Sequence, residues 1–344
     1  MAVVGAAGFA GAEVLRLVLA HPHLQVGGLF GRSSAGKPAA ELLPHLGPQL
    51  AGMVIQACDA AQVAGCAEVA CVALPHGHSA AVSHALRQQG LIVCDLSADF
   101  RLRDAQSYRD WYGAHAAPER LGEAVYGLAE LYADAIRRAD LIAVPGCYPT
   151  ASILALAPLL QHHAAAIQAP IIIDAKSGVS GAGRSLSETT HFTFATDGVR
   201  AYKSAGRHRH TPEIEQSLSE LAGRPVQLTF TPHLVPMRRG ILATAYAYCP
   251  ELTLTEVIEA AQALYASSPF VQLLPPGAHP DTAHLRGSNR VHVAYGRDGR
   301  TGMILAQAAI DNLVKGAAGQ AIQCLNLRFG WPEDCGLQQS GLWP

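Results

Sequence analysis

The first 150 residues alternate between short apolar runs and segments in which apolar residues recur every three to four positions. Short apolar runs bounded by turn residues predict buried strands, and the longer spacing predicts helices. The predicted strands span residues 2–5, 24–30, 68–74, 91–96 and 141–144, and the predicted helices span 11–20 and 79–89. This order predicts a Rossmann-type parallel sheet with right-handed crossovers.

From residue 170 the pattern changes to successive β-type runs with few helices between them. The predicted strands span residues 170–175, 226–232, 240–249, 290–295 and 303–308, and the predicted helices span 211–221 and 253–266. Such grouping predicts an α+β domain with a mixed sheet and helices on one face. A last helix at about 311–325 is expected to return to the first domain, and residues 275–280 to form a surface loop. The chain is thus predicted to be an α/β protein, with one domain at 1–147 and 311–344 and another at 148–310.

Composition narrows the class of protein. The chain has 344 residues, of which 49% are hydrophobic and 15% charged, so its length favours two domains with large cores. No apolar run approaches the roughly 20 residues that a membrane span requires. Met1 leads directly into the first predicted strand without a basic leader, which predicts a cytoplasmic protein. A net charge of −2 argues against a nucleic-acid surface, because such surfaces are basic.

The first predicted strand is followed by three glycines, Gly5, Gly8 and Gly11, with Phe9 and Ala10 inside the turn. Glycines let the backbone approach a pyrophosphate, whose charge the following helix N-terminus stabilises. The spacing G-x-x-G-x-x-G is a weak indication by itself, because any tight strand-to-helix turn could use these glycines.

The end of the second predicted strand distinguishes NAD from NADP(H). An NAD site usually has a carboxylate there for the ribose hydroxyls, whereas this chain has Arg32, Ser33 and Ser34. A guanidinium and two hydroxyls suit a 2′-phosphate, so we expect NADP(H), although an ordinary polar loop is the alternative. Pro75 and His76 follow another strand at the same edge of the sheet and could contact the cofactor.

Cys147 has the setting of a nucleophile. It follows a strand and Gly146, and Pro149 suits the first turn of a helix predicted over 150–160. A helix N-terminus favours the thiolate, and its backbone N–H groups can stabilise an oxyanion. The alternative is a structural cysteine. None of the eight cysteines forms a C-x-x-C pair, and disulfides are rare in reducing compartments.

Two histidines could exchange a proton with this sulfur. His208 and His210 would point to the same side of an extended segment, followed by Thr211 as the expected N-cap of a helix and by Glu213 in its first turn. One imidazole can act as acid or base while Glu213 orients it. Purely structural histidines are the main alternative. We expect no metal, because no third ligand at motif spacing accompanies the pair.

These segments together resemble the N-acetyl-gamma-glutamyl-phosphate reductases. The resemblance covers nearly the whole chain and rests on residues 5–11, 95–101, 126–131, 145–150, 206–214 and 311–320, in this order. It implies a semialdehyde dehydrogenase-like fold, with Cys147 as the nucleophile and an acid/base among His208 and His210, of which we favour His208. It also implies cofactor contacts at Ser180, Gly181, Asn312 and Lys315, and substrate contacts at Arg101, Tyr148 and Gly183. A surface ion pair is the alternative for Arg101.

The expected reaction is the NADPH-dependent reduction of N-acetyl-gamma-glutamyl phosphate to the 5-semialdehyde through a cysteine thioester, in arginine biosynthesis. An aminoadipyl-phosphate reductase of lysine biosynthesis is the nearest rival, followed by an aspartate-semialdehyde dehydrogenase and by a non-catalytic NADP-binding regulator. The segment after Cys147 favours the glutamyl enzyme, and the 206–214 segment disfavours the second rival. We expect a homodimer or homotetramer with neither nucleic acid nor membrane as a partner.

Overall fold

The computed structural model describes residues 1–343, which form two compact units. The first unit contains Met1–Gly146 and Ala317–Gln338, and the second contains Cys147–Gly316 and residues 339–343.

The boundaries of the units differ from the predicted ones near the C-terminus. Residues 311–316 and 339–343 belong to the second unit by their contacts, and so does Cys147, whereas the sequence predicts all of them in the first. The Asp311 carboxylate accepts the Gly287 N–H at 2.7 Å, and the Leu342 N–H donates to the Arg286 carbonyl at 2.8 Å. These hydrogen bonds tie both stretches to the second unit.

Within residues 1–343, the first unit contains a six-stranded sheet in which every neighbouring pair is parallel, so the predicted Rossmann-type sheet is confirmed. Its strands are β1 (Ala2–Val4), β2 (Gly28–Phe30), β3 (Val69–Val72), β4 (Ile92–Asp95), β5 (Val125–Tyr126) and β6 (Leu141–Ala143), in the order β2-β1-β3-β4-β6-β5. The second strand begins four residues later than predicted, because His21 Nδ1 accepts the N–H groups of His23 and Leu24 and holds them in a turn.

Helices connect these strands, as the periodicity predicts at two of the positions. They are α1 (Phe9–Leu19), α2 (Ala39–Leu42), α3 (Ala60–Ala64), α4 (Ser79–Gln88), α5 (Ala105–Tyr112) and α6 (Ala129–Ile136), with 3₁₀ turns at Pro44–Leu50 and Pro118–Arg120.

The described part of the second unit contains a seven-stranded mixed sheet, which confirms the predicted α+β character. Its strands are β7 (Ile171–Gly178), β8 (Arg200–Ala201), β9 (Leu228–Val235), β10 (Ile241–Tyr248), β11 (Val271–Leu273), β12 (Val291–Asp298) and β13 (Met303–Ile310), in the order β11-β12-β13-β10-β7-β9-β8.

One face of this sheet is covered by a layer of helices. The helices of the unit are α7 (Cys147–His163), α8 (Phe192–Ala195), α9 (Thr211–Ala222) and α10 (Leu254–Tyr265), with 3₁₀ turns at Ala164–Ala166, Val179–Ala182, Glu188–Thr190 and Thr282–Leu285. The central helix α7 contacts α9, α10, β10 and β13. Along β7, Ile171 and Ile173 are buried while Ile172 between them is 45% exposed, as a strand with one covered face requires.

The predicted C-terminal helix begins later than expected. A π-helical turn spans Val314–Ala318, and α11 (Gly319–Phe329) follows it, packing on α1 and α6 of the first unit. The Asp311 carboxylate accepts the N–H groups of Leu313 and Val314, and the Gly316 N–H donates to the Asp311 carbonyl, which widens this turn. Residues 274–281 form the predicted loop. Among residues 1–343, none of the helices has both the length and the apolar character of a membrane span.

Candidate active site

Cys147 is the first residue of α7, a helix of 17 residues, which confirms the predicted position at a helix N-terminus. Its side chain is half-buried, whereas Cys71, Cys94, Cys249 and Cys324 are fully buried. A helix N-terminus carries partial positive charge, which stabilises a thiolate or a developing oxyanion. Cys147 is therefore both accessible and located at the partly positive end of a helix, as a nucleophile requires.

Gly316 limits the space next to Cys147. A Cβ atom at residue 316 would lie 2.7 Å from Cys147 Cβ, 3.2 Å from Cys147 Cα and 3.3 Å from Ile310 Cδ1. Because Gly316 belongs to the π-helical turn, the widened backbone lies directly against Cys147. Single π-turns inserted before helices are frequent at functional sites.

The imidazole of His208 lies inside a group of aromatic rings. Tyr148, the neighbour of Cys147, has its ring centre 5.6 Å from that of His208 and 5.9 Å from that of His210, and the two imidazoles are 4.8 Å apart. Tyr202 and Phe230 contact His208 at 5.5 and 5.2 Å. The predicted proximity of both histidines to the N-terminal turn of α7 is therefore present, although residues 204–210 form turns rather than an extended segment.

Burial determines the charge of His208. The side chain is 8% exposed, and this burial, with the nearby charges of Lys203 and Arg209, lowers the pKa of His208 to about 4. The ring is therefore neutral near pH 7. Its Nδ1 accepts the His210 N–H at 3.1 Å, so the neutral ring carries its proton on Nε2 and can donate there.

The helix after the histidines begins at Thr211, and the predicted N-cap role of Thr211 is wrong. His210 occupies the cap position, because its carbonyl accepts the Ile214 N–H at 3.0 Å while the Thr211 N–H donates to the His208 carbonyl. Pro212 lies in the first turn as predicted, and Glu213 is buried in the same turn, 1% exposed. His210 and Glu213 therefore lie within one turn of each other at the N-terminus of α9.

A second cluster joins two of the predicted cofactor residues. Asn312 Nδ2 donates to Ser180 Oγ at 3.0 Å, and Asn312 Oδ1 accepts the Gly240 N–H at 2.8 Å. A Cβ at Gly181 would lie 3.1 Å from Ser177 Oγ and 3.7 Å from Asn312 Nδ2. The Ser180–Gly181 loop and Asn312 are thus part of one hydrogen-bonded arrangement in the second unit.

Two other predicted site residues of the second unit, Gly183 and Lys315, differ in exposure. Gly183 is exposed with a φ of +85°, a conformation that favours glycine. Lys315 is 0% exposed, with its ammonium 5.8 Å from the centre of the Phe270 ring. A direct contact between Lys315 and a cofactor stays a prediction that this burial disfavours.

The glycine turn of the first unit has the geometry of a phosphate-binding loop. Gly5 has a φ of +83°, and a Cβ there would lie 2.3 Å from the Ala73 carbonyl oxygen, so only glycine fits. A Cβ at Gly11 would lie 2.3 Å from the Gly5 oxygen. Gly8 is the N-cap of α1 without a side-chain cap hydrogen bond, and Phe9 and Ala10 form the first turn. The N-terminus of α1 is thus built for close approach by an anion.

Two further segments lie at the carboxyl ends of β2 and β3, the strands on either side of β1. After β2, Arg32 and Ser33 are exposed, while Ser34 is buried beside Gly31, where a Cβ would be 2.3 Å from Ser34 Oγ. After β3, Pro75 and His76 are followed by Gly77, and His76 Nδ1 accepts the Ala98 N–H at 2.9 Å. No carboxylate occurs at the end of β2, in agreement with the residues expected for a 2′-phosphate.

Arg101, predicted to bind substrate, is 5% exposed in the first unit. Its guanidinium donates to the carbonyls of Val144 and Leu96 at 2.7 and 2.8 Å, linking the segments that follow β6 and β4. Because the side chain is buried, the alternative of an ion pair at the surface is wrong, and contact with substrate stays a prediction.

Sequence reasoning missed two residues of these sites. Tyr202 contacts His208 and hydrogen-bonds to Tyr148. Asp99, which is fully buried, accepts hydrogen bonds from Gly77, Ser79, Ala80 and Tyr108 and so fixes the loop after β3. Asp99 lies within a segment that resembles the reductases and Tyr202 lies shortly before another, but Gly77 and Tyr148, to which they hydrogen-bond, are 22 and 54 positions away. Among residues 1–343, no group of three or more histidine, cysteine or carboxylate side chains is arranged to hold a metal ion.

Comparisons with known proteins agree with this arrangement. Residues 1–139 match the family described as semialdehyde dehydrogenase, NAD binding domain, and residues 147–312 match semialdehyde dehydrogenase, dimerisation domain. Curated relatives called N-acetyl-gamma-glutamyl-phosphate reductase include those of Geotalea daltonii (47% identity, covering 100% of this chain and 99% of the relative), Desulforudis audaxviator (48%, covering 99% and 99%) and Synechocystis sp. (46%, covering 99% and 97%).

Solved structures show the same fold at lower identity. Aspartate semialdehyde dehydrogenase II from Vibrio cholerae, complexed with ASA, has a TM-score of 0.72 and 17% identity, covering 96% of this chain and 97% of that chain. A probable aspartate-semialdehyde dehydrogenase from Pseudomonas aeruginosa has a TM-score of 0.69 and 18% identity, covering 95% and 97%. At these identities the likeness concerns the fold.

Proposed function

The chain belongs to the N-acetyl-gamma-glutamyl-phosphate reductase family, and we therefore propose that it reduces N-acetyl-gamma-glutamyl phosphate to N-acetyl-glutamate 5-semialdehyde and phosphate with NADPH, in arginine biosynthesis. The observation that carries this proposal is Cys147 at the N-terminus of α7, with Tyr148 in contact with two imidazoles. A cytoplasmic location stays part of the proposal.

The residues of the first unit fit NADP(H). Gly5, Gly8 and Gly11 leave room for a pyrophosphate at the N-terminus of α1, and exposed Arg32 and Ser33 would contact the 2′-phosphate. When bound, NADPH supplies the hydride, and the protein supplies position and electrostatics.

The nucleophilic step uses the sulfur of Cys147. The thiolate attacks the γ-carbonyl carbon of the acyl phosphate, the carbonyl oxygen becomes an oxyanion near the N-terminal N–H groups of α7, and the carbon–oxygen bond to phosphate then breaks. The products of this half-reaction are a thioester and inorganic phosphate. Exposed Lys203, Arg207 and Arg209 around His208 give the site a positive charge that suits an anionic substrate.

The reductive step releases the aldehyde. The thioester carbon accepts a hydride, its oxygen becomes the oxyanion of a thiohemiacetal, and the carbonyl reforms as the carbon–sulfur bond breaks. The electron pair of that bond returns to sulfur, which regenerates the Cys147 thiolate. A hydride donor and an acyl phosphate therefore yield one aldehyde, one phosphate and the oxidised cofactor.

The hydrogen bonding of the imidazoles suggests separate roles for them. His208 Nδ1 is occupied by the His210 N–H, so neutral His208 can donate from Nε2 to a substrate oxygen but offers no second lone pair. The sequence favours His208 as the acid/base. We infer from this hydrogen bond that His210, with Glu213 in the same turn, exchanges the proton, while His208 orients the substrate.

We propose that the protein assembles as a homodimer through the second sheet. Ile172, Tyr246 and Leu305 are cross-strand neighbours on the face opposite the helix layer, and all three are partly exposed. An apolar row of this kind suits the core of an interface between two copies. The match of residues 147–312 to a dimerisation domain supports this assembly.

The reaction is tested in reverse. N-acetyl-glutamate semialdehyde, phosphate and NADP⁺ should give NADPH, and Cys147→Ala should reduce the rate to background, whereas Cys58→Ala, at an exposed cysteine of the first unit, should retain it. Arg32→Ala should raise KM for NADP⁺ about 10-fold or more while leaving KM for NAD⁺ unchanged, because a charge-assisted hydrogen bond is lost. Persistent activity in Cys147→Ala would contradict the thioester route, and equal KM values for NADP⁺ in wild type and Arg32→Ala would contradict the proposed phosphate contact.

A further inference from the structure

Tyr202 connects the second sheet to the helix that begins with Cys147. It directly follows β8, and its backbone N–H donates to the Pro232 carbonyl on β9 at 3.1 Å. Its hydroxyl donates to the Tyr148 hydroxyl at 3.1 Å, and Tyr148 in turn donates to the His233 carbonyl at 3.2 Å. Tyr202 is therefore fixed to the sheet by its backbone and to α7 by its side chain.

The rings of Tyr148 and Tyr202 both pack against the imidazole of His208. Their ring planes meet that of His208 at 88° and 69°, which are edge-to-face contacts. Phe230 packs against His208 at 78°, and the imidazole is left 8% exposed. The hydroxyls of Tyr202 and Tyr148 are hydrogen-bonded to each other, so the two rings that pack on the imidazole are held together.

The backbone between Tyr202 and His208 is strained. Lys203 and Ala205 have φ values of 46° and 56°, in the left-handed region that residues with side chains rarely adopt, and Gly206 has a φ of 72°. Such a conformation persists only where the surrounding structure fixes it. The hydrogen bonds of Tyr202 fix one end of this segment, and the His210 N–H to His208 Nδ1 hydrogen bond fixes the other.

We propose that Tyr202 is a positioning residue for the proposed reaction: its ring, and its hydroxyl acting through Tyr148, hold His208 in one orientation beside the N-terminus of α7. The catalytic consequence rests on the proposed function, whereas the effect on the orientation of His208 does not. Burial, together with the charge of Cys147, raises the pKa of Tyr202 to about 12, so the hydroxyl stays protonated and serves as a hydrogen-bond donor.

The test is Tyr202→Phe, which removes the hydroxyl and keeps the ring. The matched control is Tyr295→Phe, which removes another hydroxyl bonded to the α7 backbone, at the Ala155 carbonyl, 3.0 Å away. We expect Tyr202→Phe to lower kcat roughly 3- to 10-fold, the value of one hydrogen bond, with KM for NADPH unchanged. The pKa of His208, followed by NMR, should rise because looser packing of the rings around the imidazole admits water. The control should show neither change.

A cycle with Tyr148→Phe identifies the route of the effect. If Tyr202 acts through Tyr148, the double variant should lose no more kcat than the more affected single variant. The proposal is overturned if Tyr202→Phe keeps wild-type kcat and wild-type titration of His208, or if Tyr295→Phe changes both equally. If wild-type protein reduces no acyl phosphate, the proposed function fails, and the titration decides alone: a rise in Tyr202→Phe but not in Tyr295→Phe supports positioning, and no difference overturns it.

Discussion

His208 illustrates how its surroundings decide what a motif residue can do. A histidine near a cysteine suggests acid/base chemistry, but burial and two nearby cations keep this ring neutral, and a backbone N–H occupies its Nδ1. The chemistry available to the ring therefore depends on contacts with residues 148, 202 and 230, which the motif itself does not specify.

The low pKa of His208 predicts a pH dependence of stability. Burial lowers the pKa from 6.5 to about 4, so between these values the unfolded chain binds a proton that the folded protein does not. The free energy of unfolding is therefore not reduced by this group above pH 6.5, and it falls by about 3 kcal/mol as the pH falls toward 4. Urea unfolding at a series of pH values measures this loss.

The control for that measurement is His208→Asn, because asparagine can still accept the His210 N–H but does not titrate. His21 and His292, whose pKa values are also lowered by burial, remain in both proteins and cancel in the comparison. We expect the variant to lose less stability than wild type between pH 6.5 and 4. Parallel curves would show that His208 titrates normally.

Gly316→Ala should disturb the nucleophile. The new Cβ would lie 2.7 Å from Cys147 Cβ, closer than real contacts allow, so the π-turn or the start of α7 must move. Overpacking of this kind costs about 1–3 kcal/mol. We expect a lower Tm and slower alkylation of Cys147 by iodoacetamide. Gly122→Ala, where a Cβ meets no atom within 4 Å, should match wild type in both measurements, and unchanged alkylation in Gly316→Ala would contradict the close contact.

At the scale of the elements, the helix N-termini at the candidate sites differ in which group lies against their free N–H groups. The N-terminus of α1 follows a glycine cap without a side-chain hydrogen bond, that of α4 is satisfied by the buried carboxylate of Asp99, and that of α7 carries Cys147. An anion is stabilised at any helix N-terminus. Because Asp99 already accepts the N–H groups at the start of α4, a pyrophosphate is expected at the N-terminus of α1 instead.

Asp99→Asn should destabilise the first unit. The carboxylate accepts the N–H groups of Gly77, Ser79 and Ala80 and the hydroxyl of Tyr108, at 2.7–3.0 Å. An amide nitrogen cannot accept a hydrogen bond, and each carboxylate oxygen of Asp99 accepts two. At least two of the four donors therefore lose their acceptor, at a cost of about 2–4 kcal/mol. We expect a lower Tm and a higher KM for NADPH, since the loop with Pro75 and His76 loosens.

Asp104→Asn is the matched control for Asp99→Asn. Asp104 caps α5 at the surface, accepting the Ser107 N–H at 2.7 Å, and asparagine caps helices about as well as aspartate. Its Tm should change by far less. Similar small changes in both variants would mean that the Asp99 network contributes little.

Elements with a strong period were predictable, and those decided by distant contacts were not. The strand predicted at 170–175 and the glycine turn between the first strand and α1 depend on local patterns, and the structure confirms β7 and the strand–turn–helix order. The start of α11 was predicted too early because Asp311, which contacts Gly287 and Leu313, imposes a π-turn that the periodicity does not contain. Thr211 failed as a cap because its own N–H is taken by the His208 carbonyl.

In the molecule as a whole, the proposed tasks are divided between the units. The glycine turn and Arg32 belong to the first unit, and Cys147, His208 and His210 belong to the second, whose first residue is the proposed nucleophile. The partly exposed row of Ile172, Tyr246 and Leu305 on the second sheet is the proposed interface between two copies of the chain.

Ile172→Glu should dissociate the proposed dimer. Ile172 is 45% exposed at one end of the apolar row, and a charge buried in an interface is costly unless it is paired. Light scattering after size exclusion should show a dimer for wild type and a monomer for the variant. Val54→Glu changes an apolar residue of 46% exposure in the first unit and should keep the dimer. A dimeric Ile172→Glu protein would place the interface elsewhere.

The sequence alone determined the features that depend on neighbouring residues: two domain types, the glycine turn, the absence of a carboxylate after β2, and a cysteine at a helix start. Period and turn chemistry act over a few positions, so they can be read directly from the order of residues. The tertiary structure decided what depends on distant partners. Tyr148 reaches the carbonyl of His233, 85 positions away, Asp99 reaches Gly77, 22 positions away, and Gly316 packs on Cys147. Burial and hydrogen bonding from such contacts set the protonation of His208, and no local pattern encodes them.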